Sequence, residues 1–174
     1  MSYIEISTER LLLKPLTTEY LQSVNEYALN EDNTKYMMYL PNRNSDETLD
    51  FLKRVESEWE KDEPSYYEFA VICDGAHIGG VCVYFTDGIG ELGWILHRDH
   101  WGKGYAYEAA KALTEYFSKR GHLHYIAHCD AANIGSYRVM EKLGMTKTGE
   151  YGGRKNRSAD HESVEYQYEL HMVD

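Results

Sequence analysis

Apolar and polar residues recur along this chain of 174 residues with two different periods. A period of two residues is typical of strands, whereas a spacing of three and four residues after a capping residue is typical of helices. The first pattern predicts seven strands, over residues 10–16, 67–73, 77–85, 90–97, 122–128, 145–151 and 163–172. The second pattern predicts four helices, over residues 17–30, 45–61, 105–120 and 133–143.

The order of these elements, β-α-α-β-β-β-α-β-α-β-β, predicts an α/β (α+β) fold around one mixed, mainly antiparallel sheet. A hairpin is expected at Asp74-Gly75, because its tight turn needs a positive φ that glycine adopts at little cost. The stretch 35–40, rich in Tyr and Met and ended by Pro41, is expected to be irregular. The length fits a single domain over residues 1–174.

Composition and charge narrow the classes of function. The formal net charge of -11 disfavours nucleic-acid and anionic membrane partners. It would attract a cationic substrate, but charge alone favours the simpler interpretation that the acidity keeps the protein in solution. Cys73, Cys82 and Cys129 are odd in number and lack C-x-x-C spacing, so we expect reduced core cysteines of a cytoplasmic protein. The first nine residues do not resemble a signal peptide, and no apolar run is long enough to span a membrane.

The segment between the strand 90–97 and the helix 105–120 has the character of a phosphate-binding loop. Its sequence Trp-Gly-Lys-Gly-Tyr-Ala, over residues 101–106, places two glycines directly before a helix. Glycine allows a ligand to approach the backbone closely, and a helix start offers free N–H donors and a partial positive charge. The common G-x-x-x-x-G-K-[ST] and G-x-G-x-x-G patterns are absent. Taken alone, the segment also fits a plain tight turn.

Four segments in order resemble the GNAT superfamily of acyl-CoA N-acyltransferases, and within it the ribosomal-protein-alanine N-acetyltransferase branch. They are residues 8–16, 90–94, 101–106 and 133–145. The GNAT phosphate loop follows Gln/Arg-x-x-Gly-x-Gly/Ala, and Trp101 departs from it in the manner of that branch. The resemblance implies a GNAT-like seven-stranded sheet flanked by about four helices, in which a bulge splays strand 4 from strand 5.

The resemblance also implies acetyl-CoA as co-substrate, with its pantetheine arm between the splayed strands. Main-chain contacts to that arm would come from Ile95, Leu96 and His97, and Asn133 matches the Asn that bonds the pantetheine. The position of Asn133 before a helix suits an N-cap equally well. Pyrophosphate would lie at the loop and helix start, with Arg98 or Lys103 as a charge partner. There it would accept hydrogen bonds from the amides of Trp101, Gly102, Lys103, Gly104, Tyr105 and Ala106.

Two catalytic residues are expected. Glu91, near the start of the splayed strand, is positioned to take a proton from the attacking amine, directly or through water; the alternative is an exposed strand-end charge. Many GNAT enzymes protonate the leaving thiolate with a Tyr of the last helix, where this chain has Met140. Ser136 is the substitute that the branch implies, with Tyr137 as a weaker candidate. Ser136 would alternatively bond a helix carbonyl.

The function that the resemblance implies is transfer of an acetyl group to a primary amine. Three acceptor classes stay open: a protein or peptide N-terminus, which the branch favours, a small amine, and an antibiotic amine. The Tyr and Met residues of 36–39 follow the first helix, where the superfamily commonly lines the acceptor side, so they would narrow the acceptor pocket or belong to the ordinary core. The alternative from another class is a non-catalytic acyl-CoA-binding sensor. Met140 in place of the usual Tyr supports a sensor, and the presence of Glu91 as a candidate base argues against it. The chain is expected to be a monomer or homodimer.

Two further groups are interpreted as structural. His122, His124 and His128 alternate onto one face of a predicted strand, but no carboxylate or cysteine shares that spacing, so no metal site is expected. The basic loop 154–157 is interpreted as a solvated turn.

Overall fold

One eight-stranded sheet and four α-helices form the fold in a computed structural model that describes residues 3–173. Met1, Ser2 and Asp174, the ends of the predicted domain 1–174, lie outside the described residues. The strands are β1 Ile6–Ser7, β2 Leu11–Pro15, β3 Tyr66–Cys73, β4 Ala76–Thr86, β5 Ile89–Leu96, β6 His124–Asp130, β7 Thr146–Arg154 and β8 Ser163–His171. The helices are α1 Leu21–Ala28, α2 Ser45–Trp59, α3 Tyr105–Ser118 and α4 Ile134–Lys142.

The strand order is β1-β2-β3-β4-β5-β6-β8-β7, and every neighbouring pair is antiparallel except β5 and β6. This architecture confirms the predicted α/β (α+β) class with a mainly antiparallel sheet. The sheet has one strand more than the seven expected. The additional strand is β1, which was not predicted because it is only two residues long. A strand that short is set by its pairing with β2 and shows no alternation in the sequence.

Helix α3 carries much of the packing on one face of the sheet. Its buried residues recur with a helical spacing that places them on one stripe. Phe117 contacts the rings of Tyr67 and Phe85, with centroids 4.8 and 5.3 Å away. Full burial of such a side chain stabilises the fold by roughly 1.5–3 kcal/mol. The buried stripe therefore holds α3 in one position on the sheet, and this sets where the helix begins.

The parallel pair β5 and β6 is joined over only part of its length. Pairing runs from Ile89 and His124 to Leu92 and Ala127, after which β5 pairs only with β4 and β6 only with β8. The strands therefore separate beyond Leu92, as expected for the fourth and fifth predicted strands. The register between β4 and β5 is continuous, so the expected bulge does not appear in that pairing.

The turns of the central meander follow their sequence signals. Asp74 and Gly75 have φ values of 49° and 79°, and Asp87 and Gly88 have 51° and 81°. Two positive φ values in a two-residue turn match the right-handed twist of the flanking strands. Within residues 3–173, the helices are all too short or too polar to cross a membrane.

Candidate active site

The loop before α3 has the geometry that its glycines predicted. Gly102 and Gly104 adopt φ values of 76° and 81°, and Gly104 is the N-cap of α3. A residue with a side chain in this conformation costs about 1–2 kcal/mol. The amides of Tyr105 and Ala106 lie in the first helical turn, where no intrahelical acceptor exists. The loop therefore presents free N–H donors at a helix start.

Arg10 braces this loop from the start of β2. Its Nη1 donates to Lys103 O at 2.9 Å, its Nε donates to Glu108 Oε1 at 2.7 Å, and its guanidinium lies 4.5 Å from the Tyr105 ring centre. Burial acts to raise the pKa of Glu108, but hydrogen bonds from Thr8 and Arg10 lower it overall. Glu108 thus stays charged and holds Arg10 against the loop. These contacts give the first matching segment, residues 8–16, a structural role at the phosphate loop.

Trp101 fastens the loop to the end of β5. Its ring nitrogen donates to Leu96 O at 3.0 Å, and the same carbonyl accepts Asn33 Nδ2 at 2.9 Å. Asn33 is buried, and its Oδ1 accepts the Arg98 amide at 2.7 Å. The Trp101 amide donates to Arg98 O at 3.2 Å, so the free amides of the loop begin at Gly102.

The edge of β5 that faces the gap is defined by strand geometry. The His97 amide donates to Ile78 O on β4 at 2.8 Å. Since backbone groups point to alternate sides along a strand, Ile95 and His97 direct their main chain to β4, and Trp94 and Leu96 direct theirs to the gap. This differs from the expectation that all of Ile95, Leu96 and His97 offer main-chain contacts there.

A groove with several lysines runs beside the phosphate loop. Lys103, Lys111 and Lys142 line it together with Tyr107. The ammonium of Lys142 lies 5.2 Å from the Tyr107 ring centre. Arg10 also lines this groove, and so do Glu9, Glu108 and Glu115, so its charges are mixed with only a small excess of cations.

Glu91 lies at the point where β5 and β6 separate. It pairs with Tyr84 on β4 and Ile126 on β6, one residue before the last pair that joins the parallel strands. Its side chain is 51% exposed, and its Oε1 lies 2.8 Å from His128 Nδ1. The carboxylate is therefore accessible and held in place by a second side chain.

The start of α4 lies on the other border of the gap. Asn133 Oδ1 accepts the Ser136 amide at 3.3 Å, so Asn133 is an N-cap. Burial raises the pKa of the Cys129 thiol to about 11, while a hydrogen bond with Ser136 acts to lower it. Cys129 belongs to the part of β6 that no longer pairs with β5. Ser136 lies in the first turn of α4, whereas Met140 is 1% exposed and part of the core.

The comparison with known proteins identifies the family. A family model described as "Acetyltransferase (GNAT) domain" matches residues 10–146. The chain belongs to the GNAT family of acetyltransferases. It is 33% identical over 149 residues to "Uncharacterized N-acetyltransferase YnaD" of Bacillus subtilis (strain 168), across 84% of this chain and 85% of that protein.

Solved GNAT structures share the whole fold. A GNAT acetyltransferase from Bacillus anthracis has a TM-score of 0.80 at 29% identity, over 97% of this chain and 98% of its own. The RimL ribosomal L7/L12 alpha-N-protein acetyltransferase, solved in complex with coenzyme A, has a TM-score of 0.81 at 15% identity, over 98% of each chain. The predicted resemblance to GNAT enzymes, with ribosomal-protein enzymes among the similar folds, is confirmed.

A half-buried carboxylate on the GNAT sheet was missed by the sequence analysis. Glu68 Oε1 accepts the Tyr84 hydroxyl at 2.7 Å, and the Tyr84 ring stacks on Tyr66 with centroids 4.5 Å apart. Burial raises the pKa of Glu68 to about 7, against the opposing hydrogen bonds from Tyr84 and Cys82. Glu68 pairs with Cys82, which shares the face of Tyr84, and Tyr84 is the cross-strand partner of Glu91. The carboxylates of Glu68 and Glu91 therefore lie on one face of the sheet. A Glu within an apolar strand was the available signal.

His124 of β6 contacts a carboxylate that the spacing along its own strand did not predict. Although no carboxylate shares the face of β6, His124 Nε2 lies 3.1 Å from Glu169 Oε1 on β8, and the His124 ring stacks on His171. The carboxylate thus comes from the neighbouring strand, which spacing along one strand does not reveal. The expectation of no metal stays a prediction.

The interpretation of loop 154–157 as a solvated turn was wrong. Arg154 has a side chain only 8% exposed, donates to Glu165 Oε1 at 2.7 Å, and donates to Tyr36 O at 2.8 Å. Arg157 is ion-paired with Glu47 and donates to Tyr39 O at 3.1 Å. The two arginines fasten the irregular segment 36–39 to the end of the sheet, since they supply donors for its backbone carbonyls.

Proposed function

We propose that this GNAT protein transfers the acetyl group of acetyl-CoA to a primary amine, with a protein or peptide N-terminus as the acceptor class. One observation carries the proposal: β5 and β6 separate directly beside a helix-start phosphate loop, and an accessible carboxylate, Glu91, lies at the point of separation. Such a gap accepts an extended arm, and the carboxylate lies where the arm would end.

The bound form of acetyl-CoA follows from the free groups of the site. The pantetheine arm would pair with the main chain of Trp94 and with the Leu96 amide, since the Leu96 carbonyl is already bonded twice. Asn133 would contribute its Nδ2, because Oδ1 caps α4. Pyrophosphate would bind the amides from Gly102 to Ala106, and the lysine groove would neutralise phosphate charge. RimL, which has a similar fold, has been solved in complex with coenzyme A, and this supports binding of the cofactor itself.

The chemistry needs one proton acceptor and one donor. Glu91 would take a proton from the acceptor's ammonium group, and the freed nitrogen would attack the thioester carbonyl carbon. As the C–S bond breaks, the electron pair stays on sulfur. The Ser136 hydroxyl, in the first turn of α4, would hydrogen-bond the developing thiolate.

The choice of acceptor rests on charge and on fold neighbours. The sheet face beside the gap carries Glu68 and Glu91 with the stacked rings of Tyr66 and Tyr84, which suits a cationic amine. Similar folds include the RimL enzyme, which acts on a ribosomal protein N-terminus. The monomer or homodimer, the cytoplasmic location and the lack of a nucleic-acid partner stay predictions.

The test is release of coenzyme A from acetyl-CoA with a panel of amines. The panel contains a peptide with a free N-terminal Ala or Ser, the same peptide with a blocked N-terminus, spermidine and an aminoglycoside. We expect turnover with the free peptide and none with the blocked one. Glu91→Gln should slow turnover by about a hundredfold and leave acetyl-CoA affinity nearly unchanged.

Two other outcomes would change the assignment. Turnover with spermidine or the aminoglycoside alone would move the acceptor class to small amines. Tight acetyl-CoA binding without turnover on any amine would support the non-catalytic sensor.

A further inference from the structure

Glu91 and His128 form a bonded pair at the mouth of the gap. His128 Nδ1 lies 2.8 Å from Glu91 Oε1, although the cross-strand partner of Glu91 is Ile126. His128 follows Ala127, the last residue of β6 that pairs with β5, and shares the face of Ile126. Its ring therefore contacts the carboxylate from the part of β6 that borders the gap.

The second ring nitrogen fixes the number of protons on this pair. His128 Nε2 lies 3.0 Å from Gln167 Oε1, and the Gln167 amide nitrogen donates to Thr148 Oγ1. Because an amide oxygen only accepts, Nε2 carries a hydrogen. Nδ1 faces a carboxylate, which also only accepts, so the short contact needs one proton between Nδ1 and Oε1. Removal of that proton creates the form of the pair that can accept another.

Resting on the proposed function, we propose that Glu91 and His128 take the proton of the acceptor amine as one unit. The ammonium proton passes to a Glu91 oxygen, and Nδ1 of His128 takes up a proton from the same carboxyl group. The freed electron pair on nitrogen forms the N–C bond, the C–S bond breaks, and its electrons stay on sulfur. The second proton of the nitrogen goes to that thiolate. His128 acts through Glu91 and is a positioning residue.

The groups around His128 determine the pH at which the Glu91–His128 pair loses its shared proton. The hydrogen bond with Glu91 raises the pKa of His128 above 6.5, burial opposes this, and the Gln167 bond and the charges of Glu91 and Glu165 raise it further. On β4, burial raises the pKa of the Cys82 thiol, so it stays neutral beside Glu91. The pair therefore loses its proton above pH 6.5, and the rate should increase with pH across that range.

The main experiment is the pH dependence of kcat with both substrates saturating, because the ionisation of the free acceptor then drops out. The wild type should show a midpoint above 6.5. His128→Gln should lose that midpoint and lower kcat at pH 8 by about tenfold. The matched control is His124→Gln, on the same strand and face and also bonded to a carboxylate, Glu169. It should keep the wild-type midpoint.

A His128→Gln profile with the wild-type midpoint would overturn the proposal. A second measurement needs no turnover and no His128 variant: NMR titration of the His128 ring in the wild type and in Glu91→Gln. A raised pKa that falls in Glu91→Gln supports the pair, and a pKa that is equal in both overturns it. If no amine is acetylated, the proposed function fails, and the titration still decides whether the two side chains share a proton.

Discussion

The Ser136 hydroxyl is the proposed partner of the leaving thiolate, while the Ser136 backbone belongs to the cap of α4. Its amide donates to Asn133 Oδ1, so the cap of α4 uses the Ser136 backbone and leaves its hydroxyl out. The two services are separable, because the cap uses only the backbone. A variant without the hydroxyl therefore keeps the helix start.

We expect Ser136→Ala to lower kcat by about tenfold, since the thiol of coenzyme A is already a fair leaving group. Acetyl-CoA affinity and Tm should barely change. Ser136→Thr, which keeps a hydroxyl, should recover part of the rate. A purely structural role gives the opposite pattern, because Ala is the better helix former: an unchanged kcat with an equal or higher Tm. Both quantities are measured on the same preparations.

Residue roles could be predicted where local conformation fixes them. Gly104 was predicted in the loop because glycine lets a ligand approach the backbone closely, and the structure adds a positive φ there. Asn33 could not be predicted, because its role is to bond Leu96 O and the Arg98 amide across more than 60 residues of sequence. Glu68 matters through the burial that the surrounding strands impose, which one strand's sequence does not state. The roles of Glu91 and Ser136 in catalysis stay predictions.

At the scale of elements, three parts of the chain hold the loop at the start of α3, which is the proposed phosphate site. Arg10 from the start of β2 bonds the loop carbonyl of Lys103, Trp101 fastens the loop to β5, and Gly104 turns it into the helix. The amides are thus oriented before any ligand arrives, which lowers the ordering cost of binding.

We expect Gly104→Val to weaken acetyl-CoA binding by about tenfold or more, as each lost hydrogen bond to a charged group costs roughly 1.5–3 kcal/mol. An added Cβ would also lie 3.4 Å from Arg10 Nη2. The control is Gly88→Val, which has the same φ of 81° in the β4–β5 turn with open space around it. Gly88→Val should lower Tm as Gly104→Val does, but its affinity for acetyl-CoA, measured by calorimetry, should stay unchanged. Equal affinities in the two variants would contradict the loop assignment.

Element types were predictable from period, but their arrangement was only partly so. The hairpins of β3, β4 and β5 follow from Asp-Gly turns that fix neighbours in sequence as neighbours in space. The insertion of β8 between β6 and β7 depends on a long connection, and no local signal encodes it. The separation of β5 from β6 was expected through the family resemblance and not through periodicity.

For the whole molecule, the net charge of -11 is unevenly placed. Arg10 and three lysines line the groove beside α3 together with three glutamates, so we expect the cofactor phosphates to meet a small local excess of positive charge. Phe117 of α3 packs on Phe85, the cross-strand partner of Gly90, so Glu91 lies on the opposite face of the sheet. An anionic cofactor and a cationic acceptor would therefore meet at the gap from different sides, each attracted by opposite charge.

The same carboxylate face gives the fold a pH-dependent stability. Burial raises the pKa of Glu68 to about 7, while an unfolded Glu titrates near about 4.3. Between these values the folded state binds more protons, so the contribution of Glu68 to the free energy of unfolding falls as pH rises, and the full cost is present above pH 7.

Glu68→Gln removes this titration and keeps an oxygen for the Tyr84 hydroxyl. Relative to the wild type, Glu68→Gln should therefore become more stable from pH 5 to pH 8. Its free energy of unfolding should exceed that of the wild type by an amount that grows by up to about 3 kcal/mol over this range. The histidines and the other carboxylates titrate in both proteins, so their effects cancel in the difference. Urea unfolding of the two proteins at matched pH values measures it. Two stability curves that stay parallel from pH 5 to pH 8 would contradict a raised pKa for Glu68.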